Sequence, residues 1–296
     1  MIKKYLLITK PCKLKIKNSQ LVISNSSTGE SSSVPVEDIF CVELDSPQIL
    51  ISNYTISFLQ ENVCALMTCN SHHLPNGLML PLAGNHIISQ RLNKQVAMKL
   101  PLKKSLWKDV IYWKIKNQEE LLSIRNKETE TLKKLRKTIK SNDSGNNESQ
   151  AAGYYWRNIF DFPFSRDPEG DYPNAHLNYG YSIIRTAVAR ELAAAGLHPS
   201  LGIHHKNLYN AYCLADDIME PFRPFVDRKI IEIAERGEEN LIITKEEKAE
   251  IINILFDLTE FKRQKKTIAN SIQDVVQLLL KSIEVGESKI KYPVIK

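Results

Sequence analysis

Imidazole and carboxylate groups are concentrated in one short stretch of the chain. His204 and His205 come first. After an apolar segment, three carboxylates lie within five residues, at Asp216, Asp217 and Glu220. Mixed nitrogen and oxygen ligands suit Mn²⁺ or Zn²⁺ and tolerate Mg²⁺, and a metal held with open positions can promote attack on phosphate esters. The stretch therefore predicts metal-assisted phosphodiester chemistry.

The distance along the chain between the histidines and the carboxylates demands a turn. His205 and Glu220 are 15 residues apart, which would be roughly 22 Å along one straight helix. Two ligands of one ion each lie only about 2.0–2.2 Å from it. If both side chains bind one metal, the chain must turn between Gly202 and Tyr209 or bend at Pro221.

The spacing does not decide which carboxylate would bind. Asp217 is three residues and Asp216 four residues before Glu220, so either could share a helix face with it. A solvated helix end, with His205 packed locally, explains the same pattern without a metal. Both interpretations remain open from spacing alone.

A further acidic group, Glu148, lies outside this stretch at the predicted start of a helix. It follows a polar loop, and the small residues Ala151 and Ala152 come after it. The positive end of a helix favours a charged carboxylate in the first turn, and a metal ligand must be deprotonated. Taken alone, Glu148 would be interpreted as a capping residue.

The elements that must position these groups fall into two parts. Residues 1–84 are β-rich: Cys12–Lys17 alternates apolar and basic residues, as a half-buried strand does, and Asn18–Gln20 predicts a hairpin turn. Ser52 predicts the cap of a short helix, so we expect a small meandering sheet with one helix. Residues 85–296 follow an almost wholly helical pattern.

Four residues of the first part raise the alternative of a zinc site. They are Cys64, Cys69, His72 and His73. Their spacing does not match the usual finger or ribbon patterns. The surroundings of Cys64 are typical of a buried strand, where cysteine behaves as a small hydrophobic residue, and we favour that interpretation.

Positive charge is unevenly distributed along the chain. The net charge is +6, but residues 91–141 alone hold 15 Lys or Arg against 5 Asp or Glu. Lysines interleaved with Trp107, Tyr112 and Trp113 suit a phosphate backbone, while apolar residues at helical spacing predict a buried face. We expect core packing on one side and DNA on the other. The basic residues concerned are Lys103, Lys104, Lys108, Lys114 and Lys116, with a second cluster at Lys262, Arg263, Lys265 and Lys266.

The remaining composition is typical of a soluble globular protein. Hydrophobic residues make up 43% and charged residues 25% of the chain. Five scattered cysteines, an odd number, argue against a disulfide framework and for a reducing compartment. No apolar run is long enough to span a bilayer. We expect a cytoplasmic protein with no membrane partner.

Longer motifs extend over nearly the whole chain. They are Glu148 with Ala151-Ala152 and Tyr155-Trp156, Asn178-Tyr179-Gly180-Tyr181-Ser182, Ala195-Gly196-Leu197-His198-Pro199, Gly202-Ile203-His204-His205, the run from Leu214 to Pro224, and in the first part Val36-Glu37-Asp38-Ile39 and Leu44-Asp45-Ser46-Pro47-Gln48. With these motifs the chain resembles the CRISPR adaptation integrase family, which inserts new spacers into CRISPR arrays. The resemblance is to the subtype that uses a single large RNA-guided effector nuclease (type II-like).

The resemblance implies which residues bind the metal, a choice that spacing alone left open. It implies that Glu148, His205 and Glu220 are the metal ligands and catalytic residues. Family members often carry aspartate at the position of Glu220, and glutamate reaches one methylene further. The residues expected behind the ligands or close to the DNA are Asp217, His204 and Arg223.

The resemblance also implies a fold and a function. The fold would be α+β, with a small N-terminal β-rich domain (1–84) followed by a larger all-α catalytic domain (85–296). The function would be that of a Mg²⁺- or Mn²⁺-dependent DNA endonuclease and integrase of the bacterial cytoplasm. In it, the 3′-hydroxyl of a short double-stranded DNA, the prespacer, attacks the leader–repeat phosphodiester of a CRISPR array.

The partners implied are prespacer and leader–repeat DNA, a second copy of the chain, and a small protein of the adaptation module. Two dimers would flank that small protein in a heterohexamer, and the effector nuclease and other adaptation proteins are further candidates. Two alternatives stand beside this function. One is a non-catalytic DNA-binding scaffold, and the other is a stand-alone metal-dependent DNase in repair.

Overall fold

Strands dominate the first part of the chain and helices the second, in agreement with the α+β class expected from the sequence. The computed structural model describes residues 3–82, 84–170, 172–237 and 242–296. It divides into two units, Met1–Ile88 and Ser89–Lys296. The domain boundary placed after residue 84 stays a prediction.

The first unit contains two four-stranded sheets. The strands are, in chain order, β1 (Lys4–Ile8), β2 (Cys12–Lys17), β3 (Gln20–Asn25), β4 (Ser31–Pro35), β5 (Ile39–Leu44), β6 (Ile49–Ile51), β7 (Ala65–Cys69) and β8 (Pro75–Met79). One sheet has the order β1-β5-β7-β8 and the other β4-β3-β2-β6. Because β5 pairs in parallel with both β1 and β7, the expected single meander is wrong. Three consecutive buried residues in β5, Phe40, Cys41 and Val42, fit a strand covered on both faces, which is usual in parallel sheets.

Two local predictions for this unit are confirmed. In β2, Cys12 and Leu14 are buried while the lysines that alternate with them are exposed, and β2 forms an antiparallel hairpin with β3. The Ser52 hydroxyl accepts a hydrogen bond from the backbone N–H of Thr55 at 3.2 Å. It thereby caps α1 (Asn53–Glu61), as the sequence predicts.

The residues considered for zinc contact other groups. Cys64 is fully buried. The thiol of Cys69 donates to Glu43 Oε1 at 3.3 Å, and Nδ1 of His73 lies 2.7 Å from Asp45 Oδ1. These contacts favour the strand interpretation of the segment.

The described part of the second unit is built mainly from helices. They are α2 (Ile88–Val96), α3 (Leu100–Ile124), α4 (Glu130–Lys137), α5 (Asn147–Ile159), α6 (Asn174–Ala194), α7 (Cys213–Met219), α8 (Arg223–Ala234), α9 (Lys245–Asn253) and α10 (Ile268–Val285). Helix α6 is buried along most of its length. A Cβ atom at Gly180 would meet Val226 Cγ1 at 2.3 Å, so glycine lets α6 pack closely against α8. Within the described residues, no helix has the length and apolarity needed to cross a membrane.

The second unit is not all-α, and the sequence-based expectation is wrong on this point. A hairpin of β9 (Leu258–Phe261) and β10 (Gln264–Thr267) lies between α9 and α10. Lys262 and Arg263 form its two-residue turn with φ of 51° and 64°, the left-handed geometry that closes tight hairpins. The hairpin was missed because two non-glycine cations at the turn look like part of a charged surface cluster.

Candidate functional site

The segment after α6 is folded around one buried carboxylate, that of Asp217 in α7. Asp217 Oδ2 accepts hydrogen bonds from the backbone N–H groups of Ile203 at 2.6 Å and His204 at 2.9 Å. Asp217 Oδ1 accepts from the backbone N–H of His205 at 3.2 Å and lies 2.5 Å from Nδ1 of the same residue. Because Asp217 is fully buried, these four contacts replace the water that would solvate its charge. They fix the His205 ring relative to α7.

A tight turn at Gly202 lets this segment fold back onto α7. A Cβ atom at Gly202 would meet the carbonyl oxygen of His205 at 2.4 Å, so the turn favours glycine. The backbone N–H of Leu214 donates to the carbonyl of Pro199 at 2.7 Å and closes the other end. The turn predicted between Gly202 and Tyr209 is therefore confirmed.

Trp107 of α3 supports both histidine rings. His204 stacks on the indole, with ring centroids 4.1 Å apart and 2° between the planes, and His205 meets it edge-on at 5.6 Å. The hydrogen bond to Asp217 raises the pKa of His205, whereas partial burial lowers the pKa of His204. A neutral His205 that donates from Nδ1 to Asp217 carries its lone pair on Nε2, where it can bind a metal.

Glu148 lies in the first turn of α5 but does not cap it. The capping group is Asp143, whose carboxylate oxygens accept from the backbone N–H groups of Asn147 and Glu148, each at 2.9 Å. The side chain of Glu148 forms an ion pair with Lys114 of α3 instead. The capping interpretation is therefore wrong, and the carboxylate of Glu148 is available for another role.

Glu220 begins a short 3-10 turn, Glu220–Phe222, directly after α7, and is only 6% exposed. Its Oε1 accepts a hydrogen bond from Arg223 Nε at 2.9 Å, and its Oε2 lies 2.6 Å from Lys114 Nζ. Burial opposes ionisation, but Arg223 and Lys114 outweigh it and lower the pKa of Glu220 to about 2. Glu220 is therefore charged at neutral pH, as a metal ligand must be.

Lys114 joins the two carboxylates. Its ammonium contacts both Glu148 Oε1 and Glu220 Oε2, and the residue is 9% exposed. Burial lowers the pKa of Lys114, but Glu220 and Glu148 outweigh this effect and the pKa is raised. Its expected place on the exposed outer face of α3 is wrong, because its side chain is buried against the two carboxylates. The available signal was its position four residues after Val110 and eight after Leu106, both fully buried, which puts all three on one helix face.

The candidate ligands lie in one region. Lys114 connects Glu148 to Glu220, and the charges of His205 and Glu220 shift each other's pKa. Among the residues that the structure describes, no group of three or more His, Cys, Asp or Glu side chains lies at metal-binding spacing. Glu220 Oε2 is buried and lies 2.6 Å from the ammonium of Lys114, so this oxygen lies where a cation is held. One imidazole and two carboxylates suit Mn²⁺ and tolerate Mg²⁺, so the chemistry of the donor set fits such an ion, although Lys114 stands between the two carboxylates in this structure.

The last residues of the chain brace the turn that carries Glu220. The fully buried Asn117 of α3 donates from Nδ2 to the carbonyl of Pro221 at 2.8 Å and to that of Pro293 at 3.1 Å. Its Oδ1 accepts from the backbone N–H of Ile295 at 3.3 Å. Sequence reasoning missed this contact, because the partner of Asn117 is 176 residues away along the chain.

A buried polar chain lies behind the two carboxylates. The guanidinium of Arg223 stacks over the Tyr181 ring at 4.5 Å from its centroid. Tyr181 and Tyr155 donate their hydroxyl hydrogens to the two oxygens of Asp227, at 2.5 and 2.8 Å. Since Tyr155 belongs to α5, this chain connects the helix that carries Glu148 to Arg223.

Comparison with known proteins identifies the family. The model of the family described as "CRISPR associated protein Cas1" matches residues 5–253. The chain belongs to the Cas1 family. The CRISPR-associated endonuclease Cas1 of Neisseria meningitidis serogroup C is 35% identical over 273 residues, which are 92% of this chain and 89% of that relative. The family expected from the sequence motifs is confirmed.

Solved structures share the fold of this Cas1 chain. A casposase bound to integration product has a TM-score of 0.78 at 21% identity, covering 97% of this chain and 92% of its own. A Cas1 protein from Thermotoga maritima has a TM-score of 0.77 at 17% identity, covering 97% and 99%. A Cas6-RT-Cas1–Cas2 complex has a TM-score of 0.76 at 19% identity, covering 97% of this chain and 35% of the matched chain.

Some basic residues of the Cas1 chain form ion pairs, and others line an open cleft. In the stretch 91–141, Lys116 pairs with Glu120 and Arg136 with Glu119 at 2.8 Å. The β9–β10 hairpin borders a cleft of about 440 Å³. Its lining includes Trp113, Lys262, Arg263, Lys291 and Lys296. Cations beside an indole ring are a surface that suits a nucleic-acid strand.

Proposed function

We propose that this Cas1 chain is a metal-dependent DNA integrase and endonuclease of CRISPR adaptation. The proposal depends on one observation. The carboxylates of Glu148 in α5 and Glu220 in the turn after α7 both contact the ammonium of Lys114. A histidine oriented by Asp217 lies beside them. In a family of DNA endonucleases, oriented imidazole and ionised carboxylates favour phosphodiester chemistry over a passive scaffold.

Glu148, His205 and Glu220 are the residues that would hold Mg²⁺ or Mn²⁺. When bound there, the ion supplies Lewis-acid polarisation of a phosphate oxygen. Asp217 prepares this site by holding His205 through Nδ1, which leaves Nε2 for the ion. Arg223 keeps Glu220 ionised and holds one of its oxygens.

The reaction that we propose is a transesterification. The 3′-oxygen of a short DNA duplex forms a bond to phosphorus at the leader–repeat boundary, and the bond from that phosphorus to the bridging 3′-oxygen breaks. The attacking hydroxyl loses a proton and the departing 3′-oxygen gains one. Because one phosphodiester replaces another, no nucleotide cofactor is consumed. When water takes the place of the hydroxyl, the same site nicks DNA.

The partners that we propose are double-stranded DNA and Cas2. The casposase relative is bound to an integration product and another relative belongs to a complex with Cas2, which supports both choices. A homodimer, with two dimers flanking Cas2 in a heterohexamer, follows the expectation from the sequence motifs. The type II-like subtype, contacts with the effector nuclease and other adaptation proteins, and a location in the bacterial cytoplasm belong to the same proposal.

Strand transfer tests this function directly. A labelled duplex is incubated with a supercoiled plasmid that carries a leader and repeat, in the presence of Cas2 and Mn²⁺ or Mg²⁺. We expect joined product from the parent chain and none from Glu148→Ala, His205→Ala or Glu220→Ala. Glu120→Ala is the matched control, since it removes a carboxylate of α3 that pairs with Lys116.

The end chemistry of the duplex distinguishes the alternatives. A duplex with 3′-dideoxy ends cannot attack, so the parent should then yield nicked plasmid without joined product. Nicking without joining from the ordinary duplex would indicate a stand-alone DNase, and DNA binding without either product would indicate a scaffold. Undiminished joining by His205→Ala would refute the proposed site.

A further inference from the structure

The ammonium of Lys114 lies where the candidate ligands need a cation. It contacts one oxygen of Glu148 and one of Glu220, two side chains that are 72 residues apart in the sequence. Lysine side chains commonly extend their charged end to solvent along an apolar surface. Lys114 does not, because only 9% of the residue is exposed and its charge is directed inward.

Two carboxylates held close together repel each other, and a buried one, as Glu220 is, takes up a proton unless a positive charge lies near. Arg223 supplies such a charge to Glu220 through Oε1. Glu148 and the second oxygen of Glu220 share Lys114 instead. Lys114 is therefore the counter-ion that holds the two carboxylates at one point.

We infer that Lys114 is a built-in counter-ion of the metal site, which keeps Glu148 and Glu220 assembled in the metal-free protein and competes with the divalent cation for their oxygens. This inference rests on the proposed function, since it assigns a role to Lys114 toward the ligands named there. It makes Lys114 a positioning residue that sets the metal affinity of the site.

Competition follows from electrostatics. An ammonium and a divalent cation that approach the same two oxygens repel each other with twice the energy of two unit charges at that distance. The ammonium must therefore withdraw from Glu148 and Glu220 as the divalent ion binds. The binding energy spent on this displacement lowers the apparent affinity for the metal. Replacing Lys114 by a neutral residue removes the competitor, and the divalent ion then takes over the role of holding Glu148 and Glu220 together.

Mn²⁺ binding to the full chain without DNA tests this inference, with free Mn²⁺ measured by electron paramagnetic resonance. We expect Lys114→Met to bind Mn²⁺ at least about tenfold more tightly than the parent, because a unit charge next to a divalent ion is removed. Lys114→Arg keeps a cation and should bind within about twofold of the parent by the same argument. Lys116→Met is the matched control, since Lys116 lies on the same helix and pairs with Glu119 and Glu120 instead.

Lys114→Gln covers the case in which Lys114→Met does not fold without metal. Its amide donates hydrogen bonds to the carboxylates but carries no charge, and it should also tighten Mn²⁺ binding. A second readout is the thermal midpoint, which saturating Mn²⁺ should raise more in the neutral variants than in the parent.

The outcomes separate the inference from the proposed function. In one outcome, Glu220→Ala abolishes Mn²⁺ binding, but the parent, Lys114→Met and Lys114→Gln bind Mn²⁺ with equal affinity. This result would overturn the role of Lys114 and leave the metal site standing. In the other outcome, Mn²⁺ binding is unchanged in Glu220→Ala and Glu148→Ala, or no variant binds Mn²⁺. This result would overturn the metal site itself and the inference with it.

Discussion

Replacing Asp217 by asparagine should uncouple His205 from α7 while preserving side-chain volume. The carboxylate of Asp217 faces four donors: three backbone N–H groups and Nδ1 of His205. An asparagine amide offers one acceptor oxygen, and its nitrogen is itself a donor. Two of the four donors therefore lose their acceptor and face another donor.

The size of this effect can be worked out from the contacts. A hydrogen bond to a charged group contributes about 1.5–3 kcal/mol, so losing two lowers the free energy of unfolding by about 3–6 kcal/mol. That is a large share of the ~5–15 kcal/mol that stabilises a typical domain. Mutating the group that orients a ligating histidine commonly lowers metal affinity or activity by about 10–100-fold, and we expect a loss of this size in Asp217→Asn.

The assay is the Mn²⁺ dependence of strand transfer, with the free energy of unfolding measured in urea on the same samples. Asp216→Asn is the matched control. Its carboxylate is also buried, but its hydrogen bonds come from Arg185 at 2.6 Å and Asn210 at 2.7 Å, and it acts on His205 through its charge. If Asp217→Asn kept the Mn²⁺ requirement of the parent while remaining folded, the role given to Asp217 would be refuted.

Three further predictions concern the surroundings of the site. Asn117→Ala leaves the carbonyls of Pro221 and Pro293 without the amide that donates to them. It should lower the free energy of unfolding by about 2–5 kcal/mol and slow strand transfer. An unchanged rate of strand transfer would show that residues 293–295 do not brace Glu220. For Asp227, burial raises the pKa to about 6 although Tyr181 and Tyr155 lower it. The protonated carboxyl of Asp227 therefore stabilises the folded protein. This stabilisation is fully present below the unfolded pKa of about 3.9 and is lost as the pH rises through the folded pKa. The quantity to measure by urea unfolding is the free energy of unfolding of Asp227→Asn minus that of the parent. This difference should increase by up to about 3 kcal/mol between about pH 4 and pH 7, and a difference that does not change with pH would contradict the raised pKa. Finally, the double variant Lys262→Glu with Arg263→Glu should weaken DNA binding and reduce its salt dependence without altering Mn²⁺ affinity; DNA affinity equal to that of the parent would exclude the cleft from the DNA surface.

Sequence patterns predict the parts of the site that depend on local geometry. The turn after Gly202 follows from the distance between His205 and Glu220, and the structure has that turn. The helix start at Glu148 was also expected, and α5 begins at Asn147. These features depend on residues near each other in the chain, so periodicity and spacing are sufficient to find them.

The parts that could not be predicted depend on contacts between distant elements. Lys114 looks like any other lysine in a basic helix until α5 and the turn after α7 are packed against it. Asn117 gains its role only when the end of the chain reaches the Glu220–Phe222 turn. In the first unit, local alternation identified β2, but the parallel pairing of β5 depends on which strands meet across the sheet.

The most direct test of the central claim is a crystal structure of the chain soaked with Mn²⁺, with the ion located from its anomalous scattering. We predict one peak bound by Glu148, Glu220 and Nε2 of His205, with the ammonium of Lys114 displaced from the carboxylates. A peak elsewhere in the protein, or no peak while Lys114 still bridges Glu148 and Glu220 at saturating Mn²⁺, would contradict the account.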